Sequence, residues 1–278
     1  MPFAHMLGVE LYTRMKNGAK PTRINHKDYD YLKSFGAISL PSFPDSYMTD
    51  PQLWCPNQEL PDPVFKNPAL PYGCTLYSTA DLGNDYSQKL VDNPILVENI
   101  THANENGGGD IRTALNVGVS LKFLPAFYNI QASAPLDYFD AIRLAIVSGD
   151  PEKRSVSWGT PWYTEWETAA YAPTNPSAIM PAPKDYNNLS GLPWHNSKIC
   201  GFTTIQGVPY LINKSWQGDT IGDHGFLYFP RDVVNSVMTV QGTVAFIVTD
   251  ATPQSIQTVS VSVVEWIVSL IKNLLGIQ

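Results

Sequence analysis

Apolar and polar positions alternate in two rhythms along this chain, and the change from one to the other divides it. Between Trp194 and Asp232 the apolar residues come in short runs broken by turn residues. A strand opening at His195 leads to a Gln206-Gly207 turn and returns as Tyr210–Ile212; a Gly- and Asp-containing loop follows, then a third strand, Phe226–Phe229. Upstream the spacing is helical. Leu76, Tyr77 and Ala80 share one face over 75–82, and Ile111, Leu115 and Val119 follow an N-cap at Asp110. Phe139, Ile142, Leu144 and Ala145 recur over 138–148, before a strand at 154–158. Residues 1–38 carry no long periodic run and read as a docking arm, not as an inhibitory prodomain. The Pro-rich stretches 38–71 and 173–193 read as ordered loops. Beyond Asp232, residues 237–248 look strand-like, and 259–277 predict a terminal helix with a broad apolar stripe and a polar face of Glu265, Ser269, Lys272 and Asn273.

Composition narrows the class. The 278 residues suffice for one large domain or two small ones, and 44% hydrophobic against 15% charged residues suits a packed core. A net charge of −7 with no Lys/Arg cluster argues against a nucleic-acid partner. Three cysteines, an odd number, and an N-terminus without a long apolar core suggest free thiols, no signal peptide, and a cytoplasmic or virion-associated setting. The triplets Asn99-Ile-Thr101 and Asn188-Leu-Ser190 match a glycosylation pattern that carries meaning only on secretion. In the terminal helix Glu265 and Lys272 sit inside the apolar run, where charge is costly in lipid. Packing against its own domain or a partner is the first reading of 259–277, membrane contact the second.

Candidate chemistry lies at two places. Cys74 precedes the first helical run, so it falls at a helix N-terminus, where unsatisfied N–H groups and the helix dipole favour a thiolate. His195 opens one strand and Asn213 ends its neighbour, which is how a base and its orienting group are brought together. The Gly-rich turn 104–110 is not a phosphate loop: no Lys-Ser/Thr follows and Glu105 and Asp110 would repel phosphate. Asp219, Asp223 and His224 read as a polar turn, not as a metal site.

These residues resemble the papain family of cysteine peptidases, in a divergent form closer to phage and bacterial members. Cys74-Thr-Leu-Tyr-Ser78 followed by Ala80 resembles the nucleophile segment, with Thr75 where Trp is usual. His195 with Gly201 six residues on, Ser215-Trp216, and Gly222-Asp-His-Gly-Phe226 resemble the second half. Asn213 lies 139 residues after Cys74, within the usual separation, and His195 lies 121 after it, slightly short. The resemblance implies an α+β, two-lobe fold, with a helical lobe at about 60–150 carrying the cysteine and an antiparallel β-rich lobe at about 151–233 carrying the histidine. Residues 1–38 would be an arm, 39–233 the papain-like domain, and 234–278 a C-terminal extension. It further implies thiol-dependent hydrolysis of peptide bonds in a peptide or protein substrate, without cofactor or metal. Cys74 would be the nucleophile, His195 the acid–base and Asn213 its orienting partner. Gln58 would serve the oxyanion, with Asn67 as substitute; Trp216 would shield the His–Asn bond, and Gly107 and Gly108 would line the cleft. One register is out of pattern: Asn213-Lys214-Ser215-Trp216 puts Lys214 where the family has Asn, so a β-bulge is needed to restore Asn213. The alternative is a catalytically degenerate papain-like fold serving as a structural or binding subunit, for instance of a phage particle.

Overall fold

A computed structural model describes residues 19–20, 22, 43–49, 55–61, 68–87, 94–147, 154–172, 175 and 178–249. In chain order its elements are β1 (Tyr47–Met48), α1 (Cys74–Ser87), α2 (Pro94–Thr101), α3 (Ile111–Ser120), β2 (Phe127–Asn129), α4 (Tyr138–Val147), β3 (Val156–Pro161), α5 (Thr164–Ala170), β4 (Trp194–Ile205), β5 (Val208–Lys214), β6 (Phe226–Pro230), α6 (Arg231–Val237) and β7 (Val244–Val248). The expected α+β class holds. Its strands form one antiparallel sheet in the order β2-β7-β3-β4-β5-β6, with β1 added to β4.

The β4–β5 hairpin turns where the sequence places it. Gln206 and Gly207 both have positive φ, 51° and 80°, the pair of left-handed residues whose twist suits a two-residue hairpin. Further back, β4 contains a register shift between Ile199 and Gly201. There β1 comes alongside, so closely that a Cβ on Gly201 would lie 2.1 Å from Tyr47 O. At the other end of the chain segment, Asp110 caps α3 as expected, its Oδ1 accepting the Thr113 N–H at 2.8 Å.

The sheet has two unlike faces. One packs an aromatic core of Trp158, Trp162, Trp166 and Phe229 together with Phe139 and Ile142 of α4 and Val233 of α6. Trp158 and Trp166 each meet Phe229 edge-on at 4.9 Å. The other face receives α1, whose Ser78 Oγ lies 3.3 Å from Ser197 O of β4. Helix α3 comes so close to β3 that a Cβ on Gly159 would lie 2.2 Å from Ile111 Cδ1.

Two features depart from the expected layout. Val244–Val248, placed by the sequence in an extension, is the strand between β2 and β3, pairing antiparallel with both. Its five residues are all buried, as a strand packed on both faces requires. The run before it, expected as strand from Val237, is preceded by helix α6. Likewise α4, expected in the helical lobe, belongs to the sheet's core: Arg231 of α6 grips Asp140 of α4 with both guanidinium nitrogens, at 2.9 and 2.8 Å. Among the described residues no helix is long and apolar enough to cross a membrane; the terminal helix predicted over 259–277 lies outside them.

Candidate active site

Cys74 is the first residue of α1 and is wholly buried. The chain reaches it through a tight turn, Gly73 N–H to Leu70 O at 2.7 Å, in which a Cβ on Gly73 would lie 2.7 Å from that same oxygen. Burial pushes the thiol up to about 11, against the backbone N–H of Asn196, which favours the thiolate. That N–H belongs to Asn196, which shares the α1 face of β4 with Lys198; His195, one residue back, points to the opposite face, so the structure does not bring the expected imidazole to the sulfur.

His195 is buried too, and burial alone lowers its ring to about 3. Trp162 covers the imidazole edge-on at 4.9 Å. Its Nε2 stands 3.5 Å from Ser215 Oγ, which in turn donates to Gln217 Oε1 at 3.2 Å. Both groups are dehydrated, and each is held neutral by burial in its own surroundings.

Asn213 is not beside His195. The register sets it opposite Ile199, four residues along β4, or about 13 Å at the strand rise. Its Nδ2 donates to Ser197 Oγ at 2.7 Å. A bulge does occur, but on β4 between Ile199 and Gly201, on the far side from His195, so it cannot bring Asn213 back. Lys214, one residue on, faces α1 as the alternation of a strand demands. There Lys198 and Lys214 of neighbouring strands meet Asp81 and Asp85, one helical turn apart on α1: Lys198 Nζ lies 2.6 Å from Asp81 and 3.0 Å from Asp85, and Lys214 Nζ 3.1 Å from Asp81.

Gln58 is buried close by, its backbone N–H on Trp216 O at 2.9 Å. Its side-chain Nε2 donates to Pro71 O at 3.0 Å, so one of the two amide hydrogens is already committed. Asn67 lies outside the described residues. Trp216 stacks on Tyr77 at 6.2 Å and donates Nε1–H to Asn196 O at 2.9 Å; it covers the backbone beside the sulfur, not an Asn–His bond. Gly107 and Gly108 have left-handed φ of 69° and 124° and shape the turn before α3. Gly109 beside them offers its carbonyl to the N–H of Lys20.

Against it lie residues 19, 20 and 22, the described part of the segment expected as an arm. Ala19 N–H donates to Trp194 O at 2.9 Å and Lys20 N–H to Gly109 O at 3.2 Å, with Ala19 and Gly109 bridged in parallel. Thr22 Oγ1 adds a bond to Asp110 Oδ2 at 3.0 Å. Ala19 is buried in one apolar cluster with Cys74, Leu70, Tyr77 and Trp216. An extended backbone thus joins a carbonyl on the cysteine side to one that immediately precedes His195. No periodicity announced it, because main-chain hydrogen bonds leave no side-chain pattern.

No protein-family model and no curated protein matches the chain. Solved structures do. Xylellain, a cysteine protease from Xylella fastidiosa, superposes over 84% of this chain and 96% of its own at 10% identity and TM-score 0.54. The chain has a papain-like fold. The digestive procathepsin L2 proteinase of Tenebrio molitor matches over 86% of this chain and 80% of its own at 13% identity and TM-score 0.57. For proCathepsin B S9 from Trypanosoma congolense the values are 87%, 88%, 12% and 0.53.

Proposed function

We propose that the protein is a catalytically degenerate papain-like fold that serves as a binding or structural subunit. One observation carries the reading: Lys198 and Lys214 point from the sheet to α1, so the alternation along β4 turns His195, three residues before Lys198, to the opposite face, against Trp162 and away from Cys74 at the head of α1.

A thiol peptidase needs its base within hydrogen-bond reach of the sulfur. Here both groups are buried and neutral, and the imidazole belongs to the other face of the sheet.

A cysteine peptidase with Cys74 as nucleophile and His195 as acid–base is the second reading, favoured by the place of Cys74 at the N-terminus of α1; the withdrawal of Asn213 onto Ser197 and of Lys214 into the ion cluster counts against it. Iodoacetamide labelling read by intact mass, with release of a fluorogenic peptide, decides between them. Ala19→Pro removes the N–H given to Trp194 while keeping the full chain. The peptidase reading expects this variant to alkylate at Cys74 well below pH 8 and to cleave peptide, with both lost in Ala19→Pro/Cys74→Ala. A folded Ala19→Pro protein whose Cys74 reacts no faster than an ordinary thiol and which releases no peptide would leave the binding role.

A further inference from the structure

We propose that the segment 259–277, which lies outside the described residues, docks as an amphipathic helix on the uncovered end of the sheet, in a depression lined by Met48, Ile212, Phe226 and Tyr228. The proposal is independent of any chemistry at Cys74.

The surface comes first. Residues directly opposite one another in an antiparallel pair share a face. Lys198, Lys214 and Phe226 form one such row across β4, β5 and β6, and Lys214 reaches Asp81, so this is the face that α1 covers. Two residues along, Ile212 and Tyr228 form the next row on that face, and Met48 extends it from β1 through its pairing with Gly201. Helix α1 packs on β3 and β4, whereas α6 packs on β5 and β6 from the opposite, aromatic side. The β5–β6 end of the α1 face opens instead as a depression of about 660 Å³. Its floor is apolar: Cys200, Ile212 and Phe226 are buried in one cluster with Tyr228 against them, and Met48 is exposed at the edge. Its rim is acidic, lined by Asp219 and Asp223 with His224 and by neither Lys nor Arg. Tyr228 Oη donates to Asp223 at 2.7 Å and holds that carboxylate beside the apolar floor.

The place where the described chain ends selects the occupant. Ile247 of β7, Val156, Ile199, Asn213 and Leu227 form one row across the sheet. Thr249, just past that row, is therefore level with Ile212 and Tyr228, three to four strand spacings away, or about 14–19 Å. Residues 250–258 span up to about 30 Å when extended, enough to bring 259 to the depression. Beyond them Val264, Val268, Ile271 and Leu275 recur at helical spacing, with Lys272 beside Val268 at the margin of the stripe. The stripe suits the apolar floor, and Lys272 suits the two rim carboxylates. The same rim repels the anionic headgroups that favour an amphipathic helix on a membrane.

Disulfide trapping in the dilute full-length chain tests this. Met48→Cys and Ile271→Cys are combined in a Cys200→Ala background, because the Cys200 thiol belongs to the floor beneath Met48; Cys55 and Cys74 are buried elsewhere. An intramolecular disulfide is expected under mild oxidation, at least about tenfold faster than with Val208→Cys in place of Met48→Cys, a ratio equal to about 1.4 kcal/mol of docking. Val208 is likewise exposed, on the same hairpin, and an undocked tether would reach it too. Ser269→Cys, on the polar face, in place of Ile271→Cys should be as slow as that control. In the otherwise native chain, peroxide should oxidise Met48 more slowly than it does in Ile271→Asp, read by mass. Equal trapping rates at the two sheet positions, or equal Met48 oxidation, would overturn the proposal. A disulfide-linked dimer as the main product would also overturn it, making a second copy the occupant. So would flotation of the wild-type chain with phosphatidylcholine vesicles, which would give the stripe to a membrane. Iodoacetamide labelling of Cys74 in the same samples reads the site separately, so failure of the docking and failure of the binding-subunit reading are told apart.

Discussion

Removing one carboxylate, Asp81→Ala, tests how α1 is held to the sheet. Asp81 and Asp85 on α1 face Lys198 and Lys214 on β4 and β5 in a cluster of two negative and two positive charges, with both lysines fully buried. Burial alone would raise the Asp81 carboxyl, but the two ammonium groups outweigh it and hold it at about 2 against an ordinary 3.8. By linkage that difference stabilises the folded chain by about 2.5 kcal/mol at neutral pH. The sign follows from a depressed acid: the stabilisation is complete above about pH 4 and disappears as pH falls through about 2. Asp81→Ala costs more than the linkage figure at pH 7, because it leaves one buried positive charge in excess; losses of about 3–5 kcal/mol are usual for such a change. For a chain of this size that is a fall in Tm of about 6–20 °C. Thermal unfolding by circular dichroism at pH 7, 4 and 2.5 should show the wild type and variant far apart at pH 7 and converging at the acid end. A gap under about 1 kcal/mol at pH 7, or one that does not change with pH, would refute the argument. Because Cys74 begins the same helix, a folded Asp81→Ala protein should also show a disturbed thiol.

Three other changes follow from the same geometry. Glu167 donates nothing and accepts from Trp162 Nε1 at 2.5 Å, and burial raises it to about 7; a raised acid costs nothing below about pH 4.5 and progressively more up to pH 7, so Glu167→Gln should raise stability by about 1–3 kcal/mol at pH 8 and leave it unchanged at pH 4, by urea titration. Gly201→Val should lower stability by about 2 kcal/mol or more, since its side chain would displace β1 from the Tyr47 carbonyl, and the loss should be seen as faster amide exchange at Thr49, whose N–H bonds Cys200 O. Gly159→Val should be at least as damaging, because its side chain would strike Ile111 and lift α3 from β3; soluble yield and Tm read it directly.

What could be read from the sequence was what side-chain periodicity encodes. The hairpin at Gln206-Gly207, the Asp110 cap and the helix after Cys74 each carry a local signal, and each formed where it was expected. The arm over Cys74 and the central position of β7 carry none: one is built from main-chain bonds, the other from pairing between strands more than eighty residues apart. The orienting residue was misassigned for a different reason. A motif fixes residue order, whereas a strand fixes which face each residue takes, and with Lys214 turned to Asp81 its neighbours Asn213 and Ser215 both take the face of His195. The same parity sets His195 on the face away from α1 and Cys74, an offset of one residue that order alone does not reveal. The acids on α1 were a usable signal, since Asp81 and Asp85 stand four apart among buried residues while Lys198 and Lys214 interrupt apolar strands. Two lysines facing the interior require two carboxylates on the element that covers them, and that requirement alone places α1, with Cys74 at its open end, across the strand that begins at Trp194.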